Sequence, residues 1–468
     1  MPMGDPNLLA YAALVLWVPV VVLLFAKLRP PLAAIVSMLF GVLFLPEQTV
    51  IDAPLLPPMD KGTITGFWVF ACCLVKSRHR IRSAKPMRGL DLLFVLVLLG
   101  NVGTVLTNGD TLVAGPVVRP GMTLYDGFSA IVRDTLGLYL PFLIGRSMMR
   151  TSRDLDDLMR WLVILGLGYS LLALFEIRMS PQLHRWFYGF HQMSFSMTYR
   201  LGGYRPTIFM ITGMAVAMFF LASAIAATAR WKAGRAGPWA ALWLSGILLA
   251  VKSSGAIVYG VAILPVVAFV RRPRTWIPAA LAILVLTYPI LRGLELFPTD
   301  TLVELAEEWD EERALSLWFR FDQEDALLDR AMERPIFGWG TYGRNRVFDE
   351  HTGEDLSITD GDWVINLGSR GVVGFVGLFG MLGLSILLAA YRRRHIVREE
   401  DRIQLAGLAM ISSLFLVDLL PNGLFNYLPY FFTGAVAGLS RTMVETSVIH
   451  RAILRERAAR ARAEARAA

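Results

Sequence analysis

The apolar residues of this chain come in long blocks, such as Leu8 to Phe25, Leu90 to Leu106, Ile208 to Ala227 and Val372 to Ala390. These approach or exceed the roughly 18 residues that mark a membrane-crossing helix. Inside hydrocarbon every backbone donor and acceptor must be paired within its own segment, so such runs are helices unless they close into a barrel. Barrel strands alternate apolar and polar residues, and these runs do not. Apolar runs fall near 8–26, 31–46, 61–76, 90–107, 127–146, 157–177, 207–228, 238–251, 255–270, 275–292, 371–391, 403–420 and 424–440. The expected fold is therefore an all-α polytopic membrane protein of about 13 transmembrane helices, within a range of about 12–14.

A composition of 55% hydrophobic and 18% charged residues excludes a set of soluble domains of this length. The two cysteines, Cys72 and Cys73, are adjacent inside an apolar run, where neighbours rarely bridge, and say nothing about redox compartment. The first run has no basic segment before it and no A-x-A-like site after it, so a retained span is expected rather than a signal peptide. No nucleic-acid or metal motif occurs, and no cofactor is expected.

The net charge of +8 is unevenly placed. Lysine and arginine collect in cytoplasmic loops near the ends of spans. The clusters at Lys27 and Arg29, Lys76 to Arg88, Arg146 to Arg153, Arg230 to Arg235, Arg271 to Arg274, Arg392 to Arg394 and the tail from Arg451 all fall on one side by strict alternation. The amino terminus is then outside and the carboxyl terminus inside. Residues 1–293 hold ten spans, 294–365 form a large periplasmic loop, 366–441 hold three more spans, and 442–468 are a basic cytoplasmic tail. The loop carries 19 of the 38 acidic residues but 6 of the 46 lysines and arginines. The basic excess elsewhere thus serves orientation and contact with anionic membrane lipids, not nucleic acid. Within the loop, Thr301-x-x-Glu304 reads as a capping box, and Ala314 to Met332 has helical apolar spacing that Pro335 must end.

A second outer loop, 178–206, carries Arg178, His184, Arg185, His191, Arg200 and Arg205 with the aromatics Trp186, Phe187, Tyr188, Phe190, Tyr199 and Tyr204. One reading is an interfacial aromatic belt with snorkelling arginines. The other is an anion site, with Arg200 and Arg205 flanking Gly202-Gly203, because guanidinium forks match phosphate oxygens in pairs. Arg133 and Asp134 lie inside a span, where a lone charge costs about 2.5–3.5 kcal/mol. They must face the bundle interior or water, as partners of another span or of substrate. Lys252, in Lys252-Ser253-Ser254-Gly255, is either a surface turn residue or a further anion contact.

The stretch from Arg320 to Gly374 holds an arginine, a helical segment, the turn RPIFGWGTYG from Arg334 to Gly343, a polar run, and GSRGVVG from Gly368 to Gly374. This pattern resembles the O-antigen ligase and O-antigen polymerase superfamily of bacterial inner-membrane glycan transferases. In that family the large periplasmic loop carries an arginine before a helix, a P-x-x-G-x-G turn, a His-Asn pair and a glycine-rich entry into the next span. YRLGGYRPTIF, Tyr199 to Phe209, is similar to the family's arginine-plus-glycine segment before a mid-chain span. The chain departs from the pattern at two places. Asp360 and Gly361 stand where the family has His-Asn, the nearest histidine being His351, and Ser253-Ser254-Gly255 lacks the arginine of the family's Ser-Arg-Gly.

The resemblance implies transfer or polymerisation of a glycan from an undecaprenyl-diphosphate-linked donor to an acceptor hydroxyl on a glycan, lipid or protein, without metal, alongside polysaccharide assembly partners. Arg200, Arg205, Arg320, Arg334, Arg344, Tyr342 and Lys252 are the expected substrate-binding residues. Asp360 or Asp362 is expected to take the acceptor proton in place of histidine, since either role needs hydrogen-bond reach and a suitable pKa. Two other readings stay open: a transporter of lipid-linked sugars, and a non-catalytic subunit of a polysaccharide assembly system.

Overall fold

The computed structural model describes residues 4–52, 58–200, 202–270, 275–308, 310–358, 360–423 and 426–467, the side chains of 312, 313 and 449–467 excepted. The basic residues Arg271, Arg272 and Arg274 lie outside the described residues, as do the side chains of the tail from Arg451.

The chain is all-α apart from two short hairpins. Its helices are α1 (Leu8–Lys27), α2 (Pro30–Phe44), α3 (Lys61–Ala84), α4 (Leu92–Thr107), α5 (Leu124–Asp134), α6 (Leu140–Met148), α7 (Ser152–Met179), α8 (Leu183–Tyr188) and α9 (Gly213–Lys232). They continue as α10 (Trp239–Ala250), α11 (Ser254–Phe269), α12 (Trp276–Gly293), α13 (Thr299–Glu307), α14 (Glu311–Met332), α15 (Asp362–Arg392), α16 (Glu399–Asp418) and α17 (Leu428–Ala467). The hairpins are β1 (Leu112–Ala114) with β2 (Val117–Arg119), and β3 (Tyr199–Arg200) with β4 (Gly203–Tyr204), both antiparallel.

Every one of the thirteen apolar runs falls on a helix. Among the described residues, seven helical segments are long and apolar enough to cross a membrane: Leu8–Lys27, Gly89–Thr107, Leu124–Met148, Ser152–Met179, Gly213–Lys232, Trp276–Gly293 and Asp362–His395. The apolar helices α2, α10 and α11 are shorter. The chain is thus an all-α membrane protein by the length and composition of its helices. α9 is apolar and small-sided on every face and is buried almost throughout, as a helix without a polar stripe must be. α6 and α17 approach closely at Gly145 and Gly434, where a Cβ would lie 2.2 Å from the Phe431 carbonyl oxygen and 2.0 Å from that of Phe142. Small residues at such contacts let two helix backbones pack in lipid.

The basic clusters gather at one end of the bundle. Arg29 and Arg80 both reach Asp154, at 2.6 and 3.0 Å, and Arg230 reaches Asp156 at 2.5 Å. Thr442 donates to the Arg150 carbonyl (2.6 Å), and Arg235 pairs with Glu400 (2.6 Å). Loops far apart in sequence therefore share one charged layer.

In the long loop α14 spans the expected residues and stops ahead of Pro335. The capping box does not form: α13 begins three residues earlier, with Pro298 rather than Thr301 at its cap, so Thr301 lies inside the helix. The two glycine motifs are docked on one another. At Gly371 the φ of +64° breaks α15, and a Cβ there would lie 2.2 Å from the Ile336 carbonyl oxygen. Only glycine fits that conformation and that approach. The freed amides of Val372 and Val373 donate to the carbonyls of Pro335 (2.7 Å) and Ile336 (3.2 Å), and those of Trp339 and Gly340 donate to Gly368 (2.8 Å) and Ser369 (3.0 Å). The break is thus satisfied backbone to backbone, as buried peptide groups require.

Candidate functional site

The loop and the bundle meet at the amino-terminal end of α15. Arg320, on α14, and Asp360, just before α15, line one cavity of about 200 Å³ whose remaining wall is mostly Tyr288, Phe297, Phe321, Val364 and Leu420. The Arg320 guanidinium stands 3.8 Å from the Asp360 carboxylate and donates to the Pro421 carbonyl at 3.2 Å. Both side chains are about half exposed, so this is a loose pair with solvent access rather than a closed structural bridge. Glu324 borders the same cavity. It accepts from Tyr288 (2.9 Å) and the Trp363 indole (3.3 Å), and burial raises its pKa.

Asp360 and Asp362 face different places. Gly361 is the extended cap residue, so Asp362 opens the helix and turns inward. Its carboxylate accepts from Asn366 at 2.8 Å; the Asn366 oxygen accepts in turn from Arg370, which donates to Asp134 on α5 at 2.8 Å. Asp134 takes a further bond from Asn101 on α4 at 2.9 Å. Residues 362, 366 and 370 are spaced by four, one stripe of a helix, so this face of α15 carries a continuous buried polar ladder. Asp134 therefore pairs with another span, whereas its neighbour Arg133 is half exposed and 3.7 Å away.

The remaining arginines divide. Arg200 lies on β3, and Arg205 follows β4 and donates to Ser253 at 2.9 Å. Burial, reinforced by the nearby Arg200, lowers the Arg205 pKa to about 10, while Asp418 opposes that shift. The Lys252 ammonium packs on Gly203, where a Cβ would lie 2.0 Å from it. Arg205 feels the charge of Asp418, the last residue of α16, and the turn after it supplies the Pro421 carbonyl to Arg320 and the Asn422 carbonyl to the Asp362 amide (3.0 Å).

Arg334 and Arg344 are tied into the fold. Arg334 grips Asp110 with both fork nitrogens, at 3.0 and 2.7 Å, and lies over the Trp339 ring. Arg344, 1% exposed, donates to the carbonyls of Trp339 and Pro120 and to Asp110. Their donors hold the glycine turn against the 108–123 segment. Tyr342 is exposed with a φ of +61°, and its hydroxyl donates to Asp126 at 2.9 Å. His351 lies in an exposed turn against Gly115 of the first hairpin. In the 178–206 loop, His184 is a buried pin: one ring nitrogen accepts from the Glu47 amide (3.1 Å), the other lies 2.9 Å from the Phe190 carbonyl, and burial lowers its pKa to about 4.

Arg370, Asn366, Asn345 and Lys61 were not singled out by sequence reasoning. Arg370 sits inside GSRGVVG, which reads as a glycine entry to a span. Lys61 was a visible signal, a lysine opening an apolar run; it is buried, paired with Glu47 at 2.6 Å and bonded to the carbonyls of Val42 and Phe209. No protein-family model and no curated protein sequence matches the chain, so its site is defined by its own geometry.

Proposed function

We propose that this chain transfers or polymerises a glycan from an undecaprenyl-diphosphate-linked donor onto an acceptor hydroxyl at the periplasmic face of the bacterial inner membrane, through thirteen spans with the amino terminus outside. The observation that carries this reading is the cavity shared by Arg320 and Asp360, whose Pro421 wall follows the α16 end that carries Asp418, the carboxylate felt by Arg205. A diphosphate leaving group gains negative charge in the transition state, and fixed cations aimed at it lower the barrier. Asp360, half exposed beside a cation, is the carboxylate placed to accept the acceptor's proton. The apolar wall of the cavity suits the first isoprene units of a carrier lipid.

Compositional analysis of the cell-surface polysaccharide of a deletion strain tests the reading. Short chains with single repeat units retained identify a polymerase, and free polymer no longer attached identifies a ligase. An unchanged polysaccharide rejects both. A strain that accumulates lipid-linked glycan on the cytoplasmic side supports the transporter instead.

A further inference from the structure

A second cavity, of about 320 Å³, lies on the other side of the first turns of α15, roofed by the 340–343 turn. Val364 lines the Arg320–Asp360 cavity and Ile365 lines this one, so the helix itself is the wall between them. The volume is that of a small-ligand site. Its polar lining includes Asn101, Thr104, Arg133, Tyr342, Asn345 and Arg370.

Three of these groups shape what the cavity can hold. Asn345 is 8% exposed and lines it. A side-chain amide on a cavity wall can both donate to and accept from a ligand. Arg133 is half exposed, and the carboxylate beside it, Asp134, stands 3.7 Å from its Nε. Tyr342 spends its hydroxyl proton on Asp126, but its ring is 69% exposed at a backbone conformation that non-glycine residues rarely adopt. Strain of that kind collects at functional sites.

We propose that this cavity is a second subsite, for carbohydrate, holding the non-reacting sugars of the acceptor. The carbohydrate assignment rests on the cavity; the acceptor role rests on the transfer reading above. A planar amide that both donates and accepts pairs with neighbouring sugar hydroxyls, a guanidinium fork does the same for hydroxyl or carboxylate oxygens, and an exposed phenol ring packs on the apolar face of a pyranose. A phospholipid headgroup needs the cation but neither the amide nor the ring.

The geometry also sets the length of the ligand. Arg370 lies two turns along α15 from Asp362, roughly 12 Å at 1.5 Å per residue, and Asp360 stands just beyond, where the dividing helix begins. An acceptor that touches both Arg370 and Asp360 therefore has to be longer than one pyranose ring.

The test uses the full-length protein in phosphatidylcholine nanodiscs and oligosaccharides of defined length cut from the host's own surface polysaccharide, titrated by saturation-transfer NMR. Binding weakens at least tenfold in Arg133→Gln and in Tyr342→Leu, both at solvent-accessible positions, and in Asn345→Ala where gel filtration shows a folded protein. It is unchanged in Arg320→Ala, and it strengthens with length while a monosaccharide does not bind. Equal affinity in Arg133→Gln and Tyr342→Leu overturns the assignment, as does an absence of oligosaccharide binding. Arg133-dependent retention of phosphatidylglycerol in native mass spectrometry, without oligosaccharide binding, identifies a lipid site and overturns it too. Arg133-dependent oligosaccharide binding in a protein whose Arg320→Ala and Asp360→Asn variants still make normal polysaccharide upholds the subsite while rejecting the transfer reading.

Discussion

The carboxylate of Asp134 and the guanidinium of Arg370 meet at 2.8 Å across α5 and α15, joining positions 236 residues apart. Asp134 is 2% exposed, so removing one partner leaves the other charge stranded. Breaking a buried pair in this way costs about 3–5 kcal/mol, whereas replacing both partners often restores much of the loss. Arg370→Gln is expected to lower the melting temperature in detergent markedly, and Asp134→Asn/Arg370→Gln to recover at least half of the drop. Additive losses would show that the two residues stabilise the protein independently.

Asp110 supplies a pH-sensitive clamp of a different kind. The hydrogen bond from Arg334 holds its carboxyl below the usual carboxylate range, with Arg344 adding to the effect. A depressed folded-state pKa contributes stability above the unfolded value, about 3.9, and loses it as pH falls through the folded value. The pair is largely exposed, so global stability changes little. Limited proteolysis of the 334–361 segment with an acid-active protease should accelerate below about pH 4, and Asp110→Asn should show the faster cutting already at neutral pH. Equal cutting of both proteins at all pH values would remove Asp110 from the clamp.

Topology is testable without any activity. With the proposed topology, alkaline phosphatase fused after Glu333 should be active and a fusion after Arg82 should not. The reverse pattern would place the acidic loop inside and exclude an externally acting transferase.

Arg200, Arg205 and Arg320 are the arginines of the proposed diphosphate site, and each is expected to hold a diphosphate oxygen. Loss of a charge-assisted contact is worth about 1.5–3 kcal/mol, roughly tenfold to more than a hundredfold in rate. Each Arg→Ala variant should lose product by that factor, and Arg→Lys should recover part of it, since an ammonium lacks the planar fork. Radiolabelled-sugar incorporation in membranes measures this. Normal incorporation in all three variants at normal expression would remove the shared anion site.

The helices were legible because apolar length is a local property, and each run landed on one. The arginines separated only in three dimensions. Arg334 and Arg344 carry the same sequence signature as Arg320, yet Asp110, more than 200 residues upstream, takes their forks. No local pattern carries that partnership. The pairing of RPIFGWG with GSRGVVG was equally hidden, although both motifs were visible, because glycine content shows that a backbone approaches something but not what it approaches. The capping box at Thr301 failed for the opposite reason: a short motif matched, but α13 already starts at Thr299, which puts Thr301 inside the helix.

The identity of the proton acceptor separates Asp360 from its neighbours. Asp360 is half exposed and outside the helix, so Asp360→Asn should leave the melting temperature unchanged and abolish turnover, the amide being nearly isosteric but unable to act as a base at neutral pH. Asp362 is buried and accepts from Asn366, so Asp362→Asn puts an amide against an amide and should cost about 1–3 kcal/mol of stability. Any fall in its activity should follow the fraction of folded protein. Asp360→His puts an imidazole, also able to act as a base, in the same cavity beside Arg320 and should retain partial turnover. His351→Ala should be without effect, since His351 lies in an exposed turn against Gly115. Turnover that survives Asp360→Asn and disappears in His351→Ala would require the 349–353 turn to swing onto the cavity during reaction. Turnover that survives every one of these changes would take the base away from this loop altogether.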